Sequence, residues 1–180
     1  MSIKLSGDRY LKTRPGLETR PTPSLVRAAL FNIWQAELEA AVWLDLCTGS
    51  GAIGLEALNR GARRVVGIEQ ASAACKVIRA NWGKHDPERS HLYQGDVLKL
   101  LAKLPSLEPA FDLVYFDPPY ASDLYEPVLE GIAPLLHHHS RVAVEHHKKR
   151  DLPQAIAQLR SYDQRCYGQT AISFYQLGVH

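Results

Sequence analysis

The tetrapeptide Asp117-Pro118-Pro119-Tyr120 combines residue types that could hold a planar amine. It follows the hydrophobic run 111–116, which is typical of a buried strand. Each proline fixes φ and removes a backbone donor, so the carbonyl groups and the Asp117 carboxylate are left as acceptors. An exocyclic amino group needs acceptors, and the Tyr120 ring offers a stacking face. The pattern indicates a slot for an amino-bearing ring, although a turn that only ends a strand could have the same sequence.

A glycine-rich stretch, 49–54, is the second candidate for chemistry and reads Gly-Ser-Gly-Ala-Ile-Gly. It lies between a predicted strand, 42–47, and a predicted helix, 52–60, which is the setting of a dinucleotide-binding fingerprint. Glu69 ends the next predicted strand, where its carboxylate could accept hydrogen bonds from ribose hydroxyls. A nicotinamide dinucleotide is therefore one cofactor that fits these residues.

Two further acidic residues favour a different cofactor. Asp45 lies inside the first strand of this unit, where a carboxylate suits a cationic amino-acid group better than a pyrophosphate. Asp96 follows the predicted strand 91–94, where it could bind an adenine amino group, and no segment resembles a hydride-transfer site. We therefore predict S-adenosylmethionine, with its methionine part near Asp45, its ribose on Glu69 and its adenine near Asp96. The predicted cofactor-binding residues are Asp45, Thr48, Gly49, Ser50, Gly51, Glu69, Gln70, Asp96 and Val97.

Strands and helices alternate along most of the chain, which predicts an α/β, Rossmann-like fold with helices on both faces of a mostly parallel sheet. We expect seven strands, the last two forming an antiparallel C-terminal hairpin. The predicted strands are 42–47, 64–69, 91–94, 111–116, 141–145, 162–167 and 170–177; the predicted helices are 24–39, 52–60, 71–83, 97–104, 124–136 and 154–159. Residues 47–51, Glu69, Asp96, 117–120 and 145–150 all lie at the carboxyl ends of predicted strands, where such folds bind ligands.

Composition indicates one globular domain. The chain has 180 residues, of which 46% are hydrophobic and 22% charged. We expect a basic N-terminal arm over 1–22 and a single domain over 23–180. The formal net charge is only +2, but basic residues are concentrated in the arm and at 146–150, which includes Lys148 and Lys149. Such runs also occur on ordinary solvated surfaces.

Cysteine usage and hydropathy bear on the compartment. The three cysteines are far apart, lack metal-ligand spacing and would leave one thiol unpaired in any disulfide scheme, which is typical of a reducing environment. No stretch is apolar enough to span a membrane, and the N-terminus lacks an apolar signal core. We predict a cytoplasmic protein. The adjacent histidines at 137–139 and 146–147 lack a frame of cysteines or carboxylates, so no metal site is predicted.

The chain also carries a combination of motifs that resembles one known family. Arg-Pro-Thr at 20–22 precedes Val-Arg-Ala-Ala-Leu-Phe-Asn at 26–32, and 45–57 fits Asp-x-x-x-Gly-Ser-Gly-x-(Leu/Ile)-Gly-x-Glu-Ala. With the Asp-Pro-Pro-Tyr motif, the chain resembles the class I S-adenosylmethionine-dependent methyltransferases that methylate amino groups. More narrowly, it resembles the bacterial 16S rRNA guanine-N2 methyltransferases from about Arg20 to Glu145. It departs from that family in lacking a glycine-rich beginning before Arg20 and in having Gln70 after the ribose-binding glutamate.

The resemblance implies the class I methyltransferase fold and methyl transfer to the N2 amine of a guanine in small-subunit ribosomal RNA. It implies Asp117, Pro118, Pro119 and Tyr120 as the catalytic residues. The partner would be ribosomal RNA or the assembling small subunit, with no membrane and no obligate protein partner. Lys148 and Lys149, at the carboxyl end of the strand 141–145, are predicted to contact phosphates, as are Arg20 and Arg27 at the arm and the first helix.

Other functions remain compatible with these residues. An adenine-N6 methyltransferase could use the same Asp-Pro-Pro-Tyr motif, although the absence of a target-recognition domain disfavours a sequence-specific DNA enzyme. A cofactor-binding assembly factor without catalysis is disfavoured because Asp117 and Tyr120 are both intact. An NAD-dependent oxidoreductase would bind its own cofactor rather than S-adenosylmethionine.

Overall fold

The computed structural model describes residues 2–4, 10–12 and 24–178. Strands β1 (Ser2–Lys4) and β2 (Tyr10–Lys12) form a separate antiparallel pair. The main sheet has eight strands. They are β3 (Val42–Leu46), β4 (Arg64–Glu69), β5 (Ser90–Gln94), β6 (Phe111–Phe116), β7 (Leu136–His147), β8 (Ala155–Ile156), β9 (Leu159–Tyr167) and β10 (Thr170–Leu177).

The order in which the chain adds strands to the sheet reverses beside the central strand, β3. The strand order is β5-β4-β3-β6-β7-β10-β9-β8, in which β3 to β7 are mutually parallel and the last three strands are antiparallel to their neighbours. The chain builds outward from β3 to β5 and then returns to place β6 on the other side. This arrangement leaves a crevice beyond the carboxyl ends of β3 and β6, which is where open α/β sheets bind ligands.

Helices cover both faces of the sheet because alternate strand residues point to opposite sides. Trp43 belongs to a core cluster shared with α1 (Ser24–Ile33), α2 (Ala52–Asn59) and α3 (Ser72–His85). Its neighbour Leu44 belongs to a second cluster, shared with α4 (Val97–Leu101) and α5 (Tyr125–Gly131). Both faces of the central strands are therefore buried, which explains why most of their residues are apolar.

A cluster of aromatic rings attaches α1 to the sheet. Phe31 of α1 stacks on Trp43 with ring centroids 5.5 Å apart. Trp34, just after the helix, packs edge-on against Trp43 at 5.5 Å and against Phe174 of β10 at 5.9 Å. Such pairs add to the burial of apolar area. The segment that leads from the N-terminal residues to β3 is thus fixed against strands on both sides of the crevice.

The glycine-rich turn is shaped by the indole of Trp82 on α3. Its Nε1 donates to the Gly51 carbonyl oxygen at 2.9 Å. A Cβ atom at Gly54 would lie 2.7 Å from Trp82 Cζ2 and 2.8 Å from Val65 Cγ1. One at Gly67 would lie 2.7 Å from Trp82 Cη2. The indole therefore fills a recess that exists only because three positions lack a side chain.

The structure confirms the Rossmann-like alternation but corrects its details. A helix over 154–159 was expected, and this prediction is wrong: β8 and the beginning of β9 lie there, so the main sheet has eight strands rather than seven. The Ser161 N–H donates to the Gln154 carbonyl at 2.9 Å, and the Gly178 N–H donates to that of Gln158 at 2.8 Å. The sheet edge thus supplies the backbone partners that a single helical turn would lack.

The observed bounds of other helices and strands also differ from the predicted ones. The first helix ends at Ile33 instead of 39, and α5 ends at Gly131 before a 3-10 turn over Ala133–Leu135. Strand β7 begins at Leu136, earlier than the predicted 141. The predicted arm, 1–22, lies largely outside the described residues, so the division into arm and domain stays a prediction. No helix in the described part of the chain is long and apolar enough to cross a membrane.

Two helical glycines provide a matched test of the recess around Trp82. Gly54→Ala should destabilise the fold by about 1–3 kcal/mol, because its methyl group would overlap the indole and Val65. Gly83→Ala, on α3, meets nothing within 4 Å and should stabilise the fold by up to about 1 kcal/mol through helix propensity. Urea denaturation of both variants measures the difference. Equal effects would show that the glycine-rich turn is not constrained by packing.

Candidate active site

Four carboxylates near the carboxyl ends of neighbouring strands lie close enough to Cys47 to raise the pKa of its thiol. This residue follows β3 with a left-handed backbone (φ 62°) and a half-buried side chain. Its thiol pKa is raised to about 12, first by burial and then by Glu69, Asp117, Asp45 and Asp96. The structure thus brings together all four acidic residues that the sequence nominated. The resulting negative edge suits a ligand that carries positive charge.

Asp45 lies beneath the glycine-rich turn. Its side chain is 2% exposed, and Oδ2 accepts from the Gly54 N–H at 3.1 Å. Gly54 is in the first turn of α2, so this carboxylate also satisfies an N–H that the helix leaves without an internal partner. Burial raises the pKa of the Asp45 carboxyl well above its usual value, and nearby Glu69 raises it further. Thr48 braces the same loop by donating to the Asp45 carbonyl at 2.9 Å.

Glu69 connects the glycine-rich turn to α3. One carboxylate oxygen accepts from the Gly49 N–H at 2.9 Å and the other accepts from the Ala71 N–H at 2.8 Å. Ala71 is the N-cap residue of α3. Because each carboxylate oxygen has a second lone pair, the side chain can still accept hydrogen bonds from hydroxyl groups of a ligand.

The remaining predicted cofactor residues surround the same edge. Asp96 caps α4 by accepting from the Lys99 N–H at 3.0 Å, and Val97 begins that helix with its side chain in the core. Ser50 is half-buried in the turn, whereas Gln70 is exposed after β4. Their contacts with a cofactor stay predictions.

The Asp-Pro-Pro-Tyr loop leaves β6 directly beside the turn that follows β3. The Asp117 N–H donates to the Leu46 carbonyl at 3.3 Å, which continues the pairing of the two strands by one step. Pro118 is buried and Pro119 exposed, and the Pro119 carbonyl accepts from the Ser122 N–H at 2.8 Å. The Asp117 carboxylate is half-buried at the crevice between β3 and β6.

Tyr120 is held by its hydroxyl group. It donates to Glu145 Oε1 at 3.1 Å and lies 2.9 Å from Thr170 Oγ1. Burial, together with the negative charge of Glu145, raises the Tyr120 pKa to about 12, so the phenol stays protonated at neutral pH. The His147 ring approaches the Tyr120 ring edge-on at 5.9 Å. The hydroxyl is therefore occupied by the protein, and the ring is the part of Tyr120 that a ligand can use.

An open pocket of about 450 Å³ adjoins this tyrosine and is lined by Tyr120, Ala121, His147, Lys149 and Arg150. Lys148 and Lys149 are both exposed here, at the carboxyl end of β7. Their ammonium groups can thus approach a ligand that enters beside Tyr120. Lys149 thus lines the pocket beside Tyr120, and the substrate contacts of Lys148 and Lys149 stay predictions.

Arg150 differs from the two lysines because it is part of the loop's support. Its Nη2 donates to the carbonyl oxygens of Tyr120 at 3.1 Å and Ser122 at 3.3 Å. Its guanidinium carbon also lies 4.4 Å from the centre of the Tyr125 ring. Of the other predicted RNA contacts, Arg27 is half-buried on α1 and Arg20 lies outside the described residues, so both stay predictions.

Comparison with known proteins establishes the family. The family model described as "Conserved hypothetical protein 95" matches residues 5–176. The chain belongs to this family. A Bacillus subtilis relative named "Putative rRNA methyltransferase YlbH" is 27% identical over 93% of this chain and 93% of its own length. The Escherichia coli protein named "Ribosomal RNA small subunit methyltransferase D" is 29% identical over 90% of this chain and 80% of its own.

Solved structures agree with the family assignment. One described as "Putative methyltransferase yhhF from Escherichia coli" has a TM-score of 0.86 and 28% identity, covering 98% of both chains. The class I methyltransferase fold predicted from the motifs is therefore confirmed, as is the resemblance to the ribosomal RNA methyltransferases at the level of the family.

The described residues hold no group of three or more His, Cys, Asp and Glu side chains arranged for a metal. The histidines instead have protein partners: His146 Nε2 lies 2.8 Å from Ser173 Oγ, and His137 Nε2 lies 3.0 Å from Asp112 Oδ1. Burial lowers the pKa of His146, which favours the neutral form of its imidazole ring.

Asp45→Asn should change how stability depends on pH. The folded-state pKa of Asp45 is raised above its unfolded value of about 3.9, so the folded chain holds this proton more tightly. The free energy of unfolding should then fall, relative to the asparagine variant, as pH rises from about 4 through the folded pKa. Asparagine retains an oxygen that can accept from the Gly54 N–H.

Urea denaturation between about pH 4 and pH 8 measures this difference. Asp96→Asn is the control, because it also removes a carboxylate that accepts a backbone N–H, but at an exposed helix beginning. A constant difference between the wild-type protein and Asp45→Asn across this range would contradict the raised pKa.

Proposed function

We propose that this protein transfers a methyl group from S-adenosylmethionine to the exocyclic N2 amine of a guanine in small-subunit (16S) ribosomal RNA. The observation that carries the proposal is the position of Asp117-Pro118-Pro119-Tyr120 at the end of β6, beside the glycine-rich turn after β3. This position joins an amine-binding slot to a cofactor crevice. The relatives named as ribosomal RNA methyltransferases support RNA as the substrate class.

The acidic edge fits the proposed cofactor. S-adenosylmethionine supplies an electrophilic methyl group on a positively charged sulfur and also carries an ammonium group. The acidic residues Asp45, Glu69 and Asp96 at this edge favour such positive charges and disfavour a pyrophosphate. The residues that would hold the cofactor are Asp45, Thr48, Gly49, Ser50, Gly51, Glu69, Gln70, Asp96 and Val97.

Asp117 and Pro118 would orient the amine. The nitrogen of an aryl amine is a weak nucleophile because its lone pair is delocalised into the ring. The Asp117 carboxylate and the Pro118 carbonyl oxygen can each accept one N–H of the amine, which draws the nitrogen toward tetrahedral geometry and directs its lone pair. The amine needs no prior deprotonation, because its proton becomes acidic only as the new bond forms. Asp117 then accepts that proton or passes it to water.

Tyr120 would hold the target base by stacking, which contributes roughly 1–3 kcal/mol per base in other nucleic-acid complexes. A base in a helix must be turned out to reach such a slot. Lys148 and Lys149 would bind phosphates at the rim, joined by Arg27 and Arg20. Since phosphate contacts do not distinguish sequences, we expect recognition to depend on the shape of a folded RNA or of the assembling subunit.

The deciding experiment is methyl transfer from labelled S-adenosylmethionine to 16S rRNA and small-subunit particles from cells that lack this protein. Nucleoside analysis should find the label in N2-methylguanosine. Label in N6-methyladenosine would retain the chemistry but overturn the target. Asp117→Ala should abolish transfer while leaving cofactor affinity, measured by calorimetry, nearly unchanged. A near-wild-type rate in this variant would contradict the proposed role of Asp117.

The proposed phosphate contacts predict a change in salt dependence. Charge reversal of both Lys148 and Lys149 to glutamate should weaken RNA binding and reduce the slope of log affinity against log salt by about 2 units. The matched control reverses Lys84 and Lys103, which are exposed near the ends of α3 and α4 where the chain returns to the opposite edge of the sheet. Filter binding at several salt concentrations measures both. The same slope for both double variants would show that Lys148 and Lys149 are ordinary surface residues that do not contact RNA phosphates.

A further inference from the structure

Glu145, at the end of β7, is a buried carboxylate without a role in the chemistry described above. Its exposed fraction is 2%, and it accepts hydrogen bonds from the hydroxyls of Tyr115 and Tyr120. Burial of a carboxylate is costly unless hydrogen bonds compensate for the lost water. A buried apolar side chain would avoid this cost, so the two phenols identify what the carboxylate does for the protein: it fixes the hydroxyl groups of two tyrosines.

The two tyrosines lie in different surroundings. Tyr115 is within β6 and is 1% exposed, so the sheet already fixes its position. Tyr120 belongs to the loop after β6 and lines the open pocket. Strands β3 and β7 flank β6, and Glu145 therefore reaches the loop from a neighbouring strand of the rigid sheet.

Thr170 and Arg150 complete the attachment of Tyr120. Thr170 begins β10, and its Oγ1 lies 2.9 Å from the Tyr120 hydroxyl. Arg150 donates to the Tyr120 carbonyl oxygen at 3.1 Å, so the backbone of the residue is held as well as its side chain. Tyr120 is thus fixed by groups that lie 25 residues or more after it along the chain. These bonds leave the ring as the surface presented to the pocket.

We propose that Glu145 is a positioning residue, which acts through the Tyr120 hydroxyl to hold the Tyr120 ring at the angle needed to stack on the target base. This inference rests on the proposed function. A phenol that donates to a carboxylate forms a charge-assisted bond, which is stronger and more directional than a neutral one. Holding the ring before the base arrives removes an ordering cost from the step that aligns the amine.

Tyr115→Phe and Tyr120→Phe form a matched pair, because each deletes one hydroxyl that donates to the same carboxylate. Both should lower the melting temperature. Tyr120→Phe should reduce kcat about tenfold with little change in the KM for S-adenosylmethionine, whereas Tyr115→Phe should leave kcat within about twofold. Equal kcat values for the two variants would show that Glu145 serves stability alone, and would overturn the proposal.

A double-variant cycle tests whether Glu145 acts through Tyr120. Glu145→Gln alone should also reduce kcat, but by less than Tyr120→Phe does, because Thr170 still contacts the Tyr120 hydroxyl. Combined with Tyr120→Phe, it should cause no further loss, because the group through which it acts is already absent. A full additional loss in the double variant would assign Glu145 another role in the reaction and overturn the inference.

A measurement that is independent of activity separates this inference from the proposed function. Ring signals of ¹³C-labelled tyrosine should show Tyr120 fixed in the wild-type protein and averaging faster in Glu145→Gln, with Thr170→Val intermediate. Unchanged Tyr120 signals in Glu145→Gln would overturn the positioning role even if methyl transfer to RNA is found. A wild-type protein with a fixed ring but no transfer would instead contradict the proposed function.

Discussion

The adjacency of β3 and β6 is the constraint on which the site depends. Chain order places three helices and two strands between them, yet Leu46 and Phe116 are paired residues, and the next N–H, that of Asp117, still donates to the Leu46 carbonyl. The glycine-rich turn and the Asp-Pro-Pro-Tyr loop leave the sheet from this one point. A parallel sheet that reverses its direction of growth opens a crevice there, because the two connections move away on opposite faces. This crevice is where the proposed cofactor and amine would meet.

Concentrating carboxylates at this edge opposes folding, and the helices that begin there offset the cost. Asp45 accepts from an N–H in the first turn of α2, Glu69 from the N-cap of α3, and Asp96 from an N–H of α4. The beginning of a helix has unpaired N–H groups and a partial positive charge, so each pairing satisfies both partners. The same carboxylates keep spare lone pairs for a ligand. The structural and functional roles are therefore compatible in a single side chain.

The alternation of elements and the site motifs could be predicted from sequence because both are local. Periodicity identifies the strands, and glycine and proline mark the turns that follow them. The attachment of Tyr120 could not be predicted in this way, since Thr170 reaches it only through the pairing of Thr170 with His147 across β7 and β10. The feature of the sequence that could have pointed to Glu145 is its position as an acidic residue at the end of the predicted strand 141–145. The prediction of a short helix over 154–159 was wrong for a related reason. Hydrogen-bond partners at the sheet edge decide the conformation of so short a segment.

The glycines of the turn are weaker evidence for a cofactor than their motif implies. Gly54 and Gly67 are required by the indole of Trp82, and Gly51 has a φ of 78° in addition to accepting from that ring, so packing alone would retain all three. The negative charge of the acidic residues at the strand ends is what distinguishes S-adenosylmethionine from a dinucleotide as the cofactor. Two unit charges about 4 Å apart near a protein surface interact by about 4 kcal/mol. Such an interaction would repel the pyrophosphate of a dinucleotide and attract a sulfonium, so the acidic residues separate the two cofactors where the glycines do not.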